Sequence, residues 1–529
     1  MNKFYRYTTF FAVILVVLSI SLLAHNQLSK MVTPESSISI NRPAQINPDY
    51  CGIVCPPNIA PLNFVIKEKG IEYFVKIYSD KGKPIEIHCK NAKVIIHQKS
   101  WHKLLEANRG GKLYFEIFTR DAEGQWNSFD RIENRIAEED IDNFAMYRKM
   151  HPMHTLYYGN MGLYQRDLSS FSEKLILDRN YLGKGGCLNC HSFCKNNPDN
   201  MIVGIRSKNY GVSTLYVKDG TAQKIDTKFG YSSWHPSGKL VTYSVNNLPM
   251  FFHSARSEVR DTVDLDSYIA YYPVDSPAVK TDPALARKKQ LENWPAWSAD
   301  GKYLYYCSSP MLWPNTKQIP PNEFEDVRYD LVRISYDVTG DEWGQEETVV
   351  SSSDTEQSTG MPRTSPDGRW LSLCMFDYGF FPTWQKSSDL YLIDLEQANR
   401  TSMFTPKKLD INSDESESWH CWSSNSRWIM FSSKRDYGVF TRLYISYIDE
   451  KGNAYKPILI PQKDPLFYES CLLAYNTPEL IIKPVSPRCE NLAKVIRSSQ
   501  KMSVDIPITM ATPKAETTST GEQLWQQRE

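Results

Sequence analysis

The sequence predicts a mainly β chain: a small N-terminal β-sandwich, a short helical connector, and a β-propeller of five to six or more blades. Three observations carry that prediction. A turn phrase recurs at Trp234-His-Pro-Ser-Gly238, Trp297-Ser-Ala-Asp-Gly301, Thr364-Ser-Pro-Asp-Gly368 and Trp422-Ser-Ser-Asn-Ser426, with copies roughly 60 residues apart. Each phrase opens a strand and is answered by a second one, at Tyr268–Tyr272, Asp330–Ile334, Asp389–Ile393 and Arg442–Ser446. The composition agrees, since 31 Tyr, 13 Trp, 31 Pro and 25 Gly in 529 residues suit short strands joined by turns better than helical bundles.

Residues 1–30 read as an export signal. Lys3 and Arg6 precede an uncharged apolar run from Thr8 to Ala24, and Lys30 follows it. Cleavage after Ala24 would put Leu22 where a small residue is preferred, so an uncleaved anchor in the inner membrane is expected, with the rest of the chain in the periplasm. Export after cleavage is the alternative. Residues 31–60, rich in Ser, Pro and Asn, read as a linker.

Residues 61–134 read as an immunoglobulin-like β-sandwich, from strand-like runs at Glu72–Tyr78, Lys93–His97 and Lys112–Phe118. A half-barrel is the alternative. Residues 135–200 read as a helical linker, because Ile136–Arg148 carries apolar positions at three-to-four spacing. The propeller is expected over 201–490. Its further strands are Met201–Ile205 and Ser213–Val217, and Phe467–Val485 is a candidate for a sixth blade without the phrase. The Ser/Thr/Gln/Glu-rich residues 491–529 read as a disordered tail.

The phrase resembles the Trp-Ser-Pro-Asp-Gly-Lys motif of TolB-like propellers. Asp-Gly supplies the tight turn, and the following apolar residues pack between adjacent blades. The tryptophans read as anchors of that packing.

One short motif carries chemistry: Cys187-Leu-Asn-Cys190-His191. This is the C-x-x-C-H pattern of covalent haem attachment. Two thiols add across the haem vinyl groups, and the histidine ligates the iron axially. One haem c is therefore expected, on Cys187, Cys190 and His191. With Cys194 the same string could bind zinc or an iron–sulfur cluster, and a plain thiol pair is the structural alternative. For the far side of the iron the candidates are Met150, His151, Met153, His154, Met161 and Met201. Met161 ranks first, flanked by aromatic residues and glycines. The Met/His group 150–154 could also form a copper site. Arg166 and Arg206 could pair with haem propionates, because guanidinium suits bidentate carboxylate binding, or form structural salt bridges.

Lys+Arg and Asp+Glu are both 61, which excludes the basic excess of a nucleic-acid-binding protein. Neither a nucleophile elbow, a zinc-protease helix motif nor a phosphate loop is present. The layout resembles exported bacterial TolB-like proteins in which a sandwich, one haem c motif and a propeller follow one another. That resemblance implies electron transfer or haem-dependent docking on envelope proteins through the propeller. A TolB-like interaction scaffold with structural haem is the alternative, and an enzyme using the propeller channel is a third reading.

Overall fold

The computed structural model describes residues 34, 36–153, 161–183, 186–274, 276, 278–314, 318–503 and 505, without the Cys190 side chain. The expected anchor and the end of the expected tail lie outside these residues. Among the described residues, no helix is long and apolar enough to cross a membrane. The chain is mainly β and propeller-like, and divides into two compact units.

Among the described residues, the smaller unit comprises those up to 52, 61–135 and 463–466. Lys112–Arg120 is the centre of its sheet, pairing antiparallel with Glu72–Tyr78, Trp126–Asp130 and Ile132–Ile136. Strict alternation buries Leu113, Phe115 and Ile117 on one face of that strand. Helix Gln98–Ala107 buries Trp101, Leu104 and Leu105. The expected linker is partly strand: Ile38–Pro43 pairs parallel with Trp126–Asp130, and Ile46–Asn47 pairs with Phe64–Ile66.

Among the described residues, the larger unit comprises 53–60 and those of 136–462 and 467–505. Four-stranded sheets run through Cys187–Cys194 to Ile225, Ser358–Thr364 to Lys408, and Glu417–Trp422 to Leu459. Between them, Ser232–Trp234 and Gln290–Trp297 open two further sets of strands, joined by a parallel pairing at Ser267 and Leu291. A last sheet takes its strands from both ends of the unit: Ala474–Ile481 pairs with Phe144–Met150, followed by Met161–Asp167 and Glu173–Asp178. The first strands pack on one another in sequence, and Ala474–Ile481 packs back on Cys187–Cys194, which closes the ring. The apolar cores lie between successive sheets. One holds Ile202, Tyr216, Trp234 and Tyr243, and the next holds Leu240, Ile269, Trp297 and Ile334.

The repeated phrase explains how neighbouring sheets interlock. In each copy the last residue donates its backbone N–H to the carbonyl of the second: Gly238 to His235, Gly301 to Ser298, Gly368 to Ser365 and Ser426 to Ser423, at 2.9–3.0 Å. That residue adopts a φ of 72°, 75°, 76° or 62° respectively, which is why three of the four are glycine. A Cβ on Gly301 would stand 2.3 Å from His235 Nε2 of the preceding turn. Trp234, Trp297 and Trp422 each end a first strand. The Trp297 indole donates to Thr242 and the Trp422 indole to Ser372, both at 2.9 Å, each hydroxyl lying on the strand after the preceding first strand.

Three expected elements bear on where the ring begins and ends. Among the described residues, 135–200 hold four whole strands in place of a helical linker, and from 136 on they belong to the larger unit. Phe144–Met150 is buried on both faces, and a strand buried on both faces reads as an apolar run that periodicity cannot separate from a helix. Second, Phe467–Val485, the candidate for completing a further blade, contributes Ala474–Ile481, which completes the sheet of Phe144–Asp178. Third, the expected tail starts as helix Cys489–Arg497, which buries Leu492, Ala493 and Ile496.

Candidate functional site on the ring axis

The first strands share a defect at one position. Pairing slips between Asn189 and Ser192, Asn293 and Ala296, Gly360 and Arg363, and Ser418 and Cys421. At this bulge Trp294, Met361 and Trp419 take φ of 56°, 52° and 50°, and Thr477 on the closing strand takes 47°. Left-handed backbone is costly for such residues and persists only where the surroundings enforce it. A bulge re-aims side chains, here toward the axis. The Tyr231 and Trp294 rings lie with centroids 3.7 Å apart, Trp294 meets Phe380 at 5.1 Å and Trp419 at 5.5 Å, and the Trp419 backbone N–H donates to Met361 Sδ. An aromatic layer thus fills this level of the axis.

One to two residues further along the same strands lies a polar layer. Arg363 pairs with Glu479 at 2.6 Å, and its side chain is 38% accessible although it sits inside the ring of strands. Water therefore reaches it along the axis. Arg148 is buried and donates from Nε to Asn476 Oδ1 at 3.0 Å, and from Nη1 to the Leu188 carbonyl at 3.0 Å and Asn189 Oδ1 at 2.8 Å. Among the described residues it has no carboxylate partner.

Two buried imidazoles complete the layer. Neither His191 ring nitrogen makes a hydrogen bond of good geometry, and His420 Nε2 lacks one too. His420 Nδ1 lies 3.8 Å from Cys374 Sγ. Burial, then the positive charge of Arg148, pushes the His191 pKa down to about 3, while the approaching carbonyls of Met146 and Thr477 only partly oppose it. Burial and Arg363 push His420 down to about 3 as well. Burial raises the Glu479 pKa against the pull of Arg363. The layer therefore holds two guanidiniums, one carboxylate and two neutral imidazoles. A neutral imidazole is a proton acceptor, and a guanidinium beside it can hold or polarise a polar ligand.

At the end where the first strands begin, the insertion Leu248–Thr262 forms a strap anchored on several sheets. Glu258 bonds Lys434 at 2.5 Å, Arg260 donates to the Pro152 carbonyl at 2.7 Å, and Asp261 accepts from Tyr378 at 3.0 Å. Burial opposes ionisation of Glu258, but Arg260 and Lys434 outweigh it and hold the carboxyl at about 2.

The residues expected to bind haem are only partly brought together. Cys187, Met150, Met161 and Met201 join one apolar core between two sheets, where Met161 stands opposite Met150 in the strand pairing. Met161 is thus a core residue, 6% exposed, and not a free thioether. His151 Nδ1 accepts from the Met153 backbone within its own turn, and His154 lies outside the described residues. Arg166 donates to the Pro461 carbonyl at 2.9 Å and to Gln462 at 3.3 Å, so it is committed elsewhere. Arg206 is exposed and stands opposite Cys187 on the neighbouring strand.

Cys187–Cys194 is a strand interrupted by the bulge between Asn189 and Ser192. His191 is 4% exposed, and its imidazole faces the carbonyls of Met146 and Thr477. Among the described residues, no group of three or more His, Cys, Asp or Glu could hold a metal ion.

Sequence reasoning found His191 and missed Arg148, Arg363, His420 and Glu479. One signal was present. Cys190-His191-Ser192-Phe193 and Trp419-His420-Cys421-Trp422 occupy the same place in the repeat, two residues before an aromatic that ends the axial segment.

No family model matches the chain, and no curated protein does. Among solved structures it is similar to a luciferin-regenerating enzyme, at 11% identity and a TM-score of 0.32 over 56% of this chain and 82% of that one. It is also similar to prolyl oligopeptidase B from Galerina marginata, at 13% identity and a TM-score of 0.32 over 57% of this chain and 40% of that one. An oligogalacturonate lyase in complex with manganese is 12% identical, at a TM-score of 0.31 over 65% of this chain and 89% of that one. The expected role in electron transfer or haem-dependent docking, with the envelope scaffold as alternative, is corrected on the place of its key residue: the histidine expected to ligate iron is enclosed in the axial layer, 4% exposed.

Proposed function

We propose that the larger unit is a six-bladed propeller and that the chain is an enzyme whose axial layer binds a small polar substrate and moves protons on it. The observation that carries this reading is the convergence on Arg148, Arg363 and Glu479 of His191, with neither ring nitrogen in a well-formed hydrogen bond, and His420, whose Nε2 lacks one. Buried polar atoms without partners are costly in a folded protein and mark places where a ligand or a reaction supplies the missing bond. The imidazoles act as proton acceptors, Arg148 and Arg363 orient and polarise the substrate, and the aromatic layer of Tyr231, Trp294 and Trp419 closes one side against water. The apolar run Thr8–Ala24 behind Lys3 and Arg6 supports a place outside the cytoplasm, at the membrane. The smaller unit is read as an immunoglobulin-like sandwich.

The test is turnover of small esters, amides, lactones and uronate oligomers by the full chain, compared with His191→Gln and His420→Gln. Each variant is expected to lose on the order of 10²–10⁴ in kcat, the usual worth of a general acid or base. Its circular dichroism should stay unchanged. Wild-type turnover in the double variant would contradict the reading.

A further inference from the structure

We propose that the axial site is built for a small monoanion of the carboxylate class. The inference rests on the axial site argued above and names its ligand. The charges facing one another there are Arg148, Arg363 and Glu479, with His191 and His420 neutral, so the layer carries one positive charge more than it neutralises.

Arg148 holds that excess. It is 6% exposed, its partners are a backbone carbonyl and two side-chain amides, and among the described residues Nη2 makes no hydrogen bond. An interior guanidinium without a counter-charge is costly, and one bound carboxylate would cancel it. Guanidinium presents paired N–H donors that match the two oxygens of a carboxylate. The accessible face of Arg363 gives such an ion an aqueous route along the axis. A phosphate would carry more negative charge than the single excess cation balances, and a neutral amide would balance none.

Arg363 and Glu479 make opposite predictions, which separates electrostatics from simple damage. Calorimetric titration of the full chain at constant ionic strength with acetate, inorganic phosphate and acetamide is the experiment. Acetate should bind saturably and better than phosphate, and acetamide should not bind. Arg363→Gln should weaken acetate at least tenfold, Arg363→Lys should retain most of the binding, and Glu479→Gln should tighten it. A structural defect would not produce a gain at one partner and a loss at the other.

Equal binding of acetate and acetamide, tighter binding of phosphate, or no binding of acetate would overturn the inference. So would an Arg363→Gln variant with wild-type affinity. The enzymatic reading fails separately, if turnover survives the loss of both histidines whatever the charge of the ligand.

Discussion

Replacing Arg442 by leucine lowers the unfolding free energy of the larger unit by roughly 3–5 kcal/mol, the cost of breaking a buried charged network at one partner. Arg442 is fully buried, and among the described residues it has no carboxylate to balance it. It is held instead by carbonyls and aromatic faces. Nη2 donates to the Cys471 carbonyl at 2.7 Å and to the Tyr468 carbonyl at 3.3 Å, and Nη1 donates to the Leu473 carbonyl. The guanidinium lies 5.0 Å from the ring centres of both Tyr437 and Tyr468. These carbonyls belong to the segment leading into Ala474–Ile481, the strand that closes the ring. Leucine would leave them unpaired inside the protein and loosen that strand. Chemical denaturation measures the loss, and protease should then cut within 463–473 first. A change below about 1 kcal/mol, the range of an ordinary surface substitution, would show that the arginine does not hold the closure.

Replacing Asp264 by asparagine stabilises the protein at alkaline pH and not at acid pH. Asp264 is 1% exposed and accepts hydrogen bonds from Ser267 at 2.5 Å and Tyr329 at 2.9 Å, as well as from Asn293. Its Oδ1 has no partner. Burial outweighs the three donors and raises the carboxyl from 3.8 to about 7. The folded state therefore binds this proton more tightly than the unfolded state. Its contribution is fully present below about pH 4 and is lost as pH rises through about 7. One pKa unit corresponds to about 1.4 kcal/mol, so the lost stability is on the order of 4 kcal/mol. Asparagine keeps an acceptor for the same donors without the charge. The difference in unfolding free energy between Asp264→Asn and the wild type should therefore grow from pH 4 to pH 8. A difference that stays constant over that window would show that Asp264 ionises normally.

The turn phrase was legible because it answers a backbone demand. Gly238, Gly301 and Gly368 stand where φ is positive, and the residues around them repeat for that reason. Phe144–Met150 was not legible, since burial on both faces erases the alternation that marks a strand. The closing strand Ala474–Ile481 carries no phrase, and its partners lie more than 300 residues earlier in the chain. For the site, His191 was legible as a residue with chemistry, but the meaning of Cys187–His191 depends on conformation. On an extended strand the motif becomes the axial segment of one sheet, with its histidine turned into the ring. Arg148, Arg363 and Glu479 come from different strands, and only ring closure brings them together. No local pattern could announce that meeting.

The most direct test of the axial assignment is a pH titration of the imidazole resonances in protein labelled with ¹⁵N-histidine, assigned through His191→Gln and His420→Gln. If both rings are enclosed beside Arg148 and Arg363, their resonances stay neutral from pH 8 down to pH 5, in keeping with pKa values of about 3. A His191 resonance that titrates near the ordinary histidine value of about 6.5 would place the ring in solvent and contradict the site.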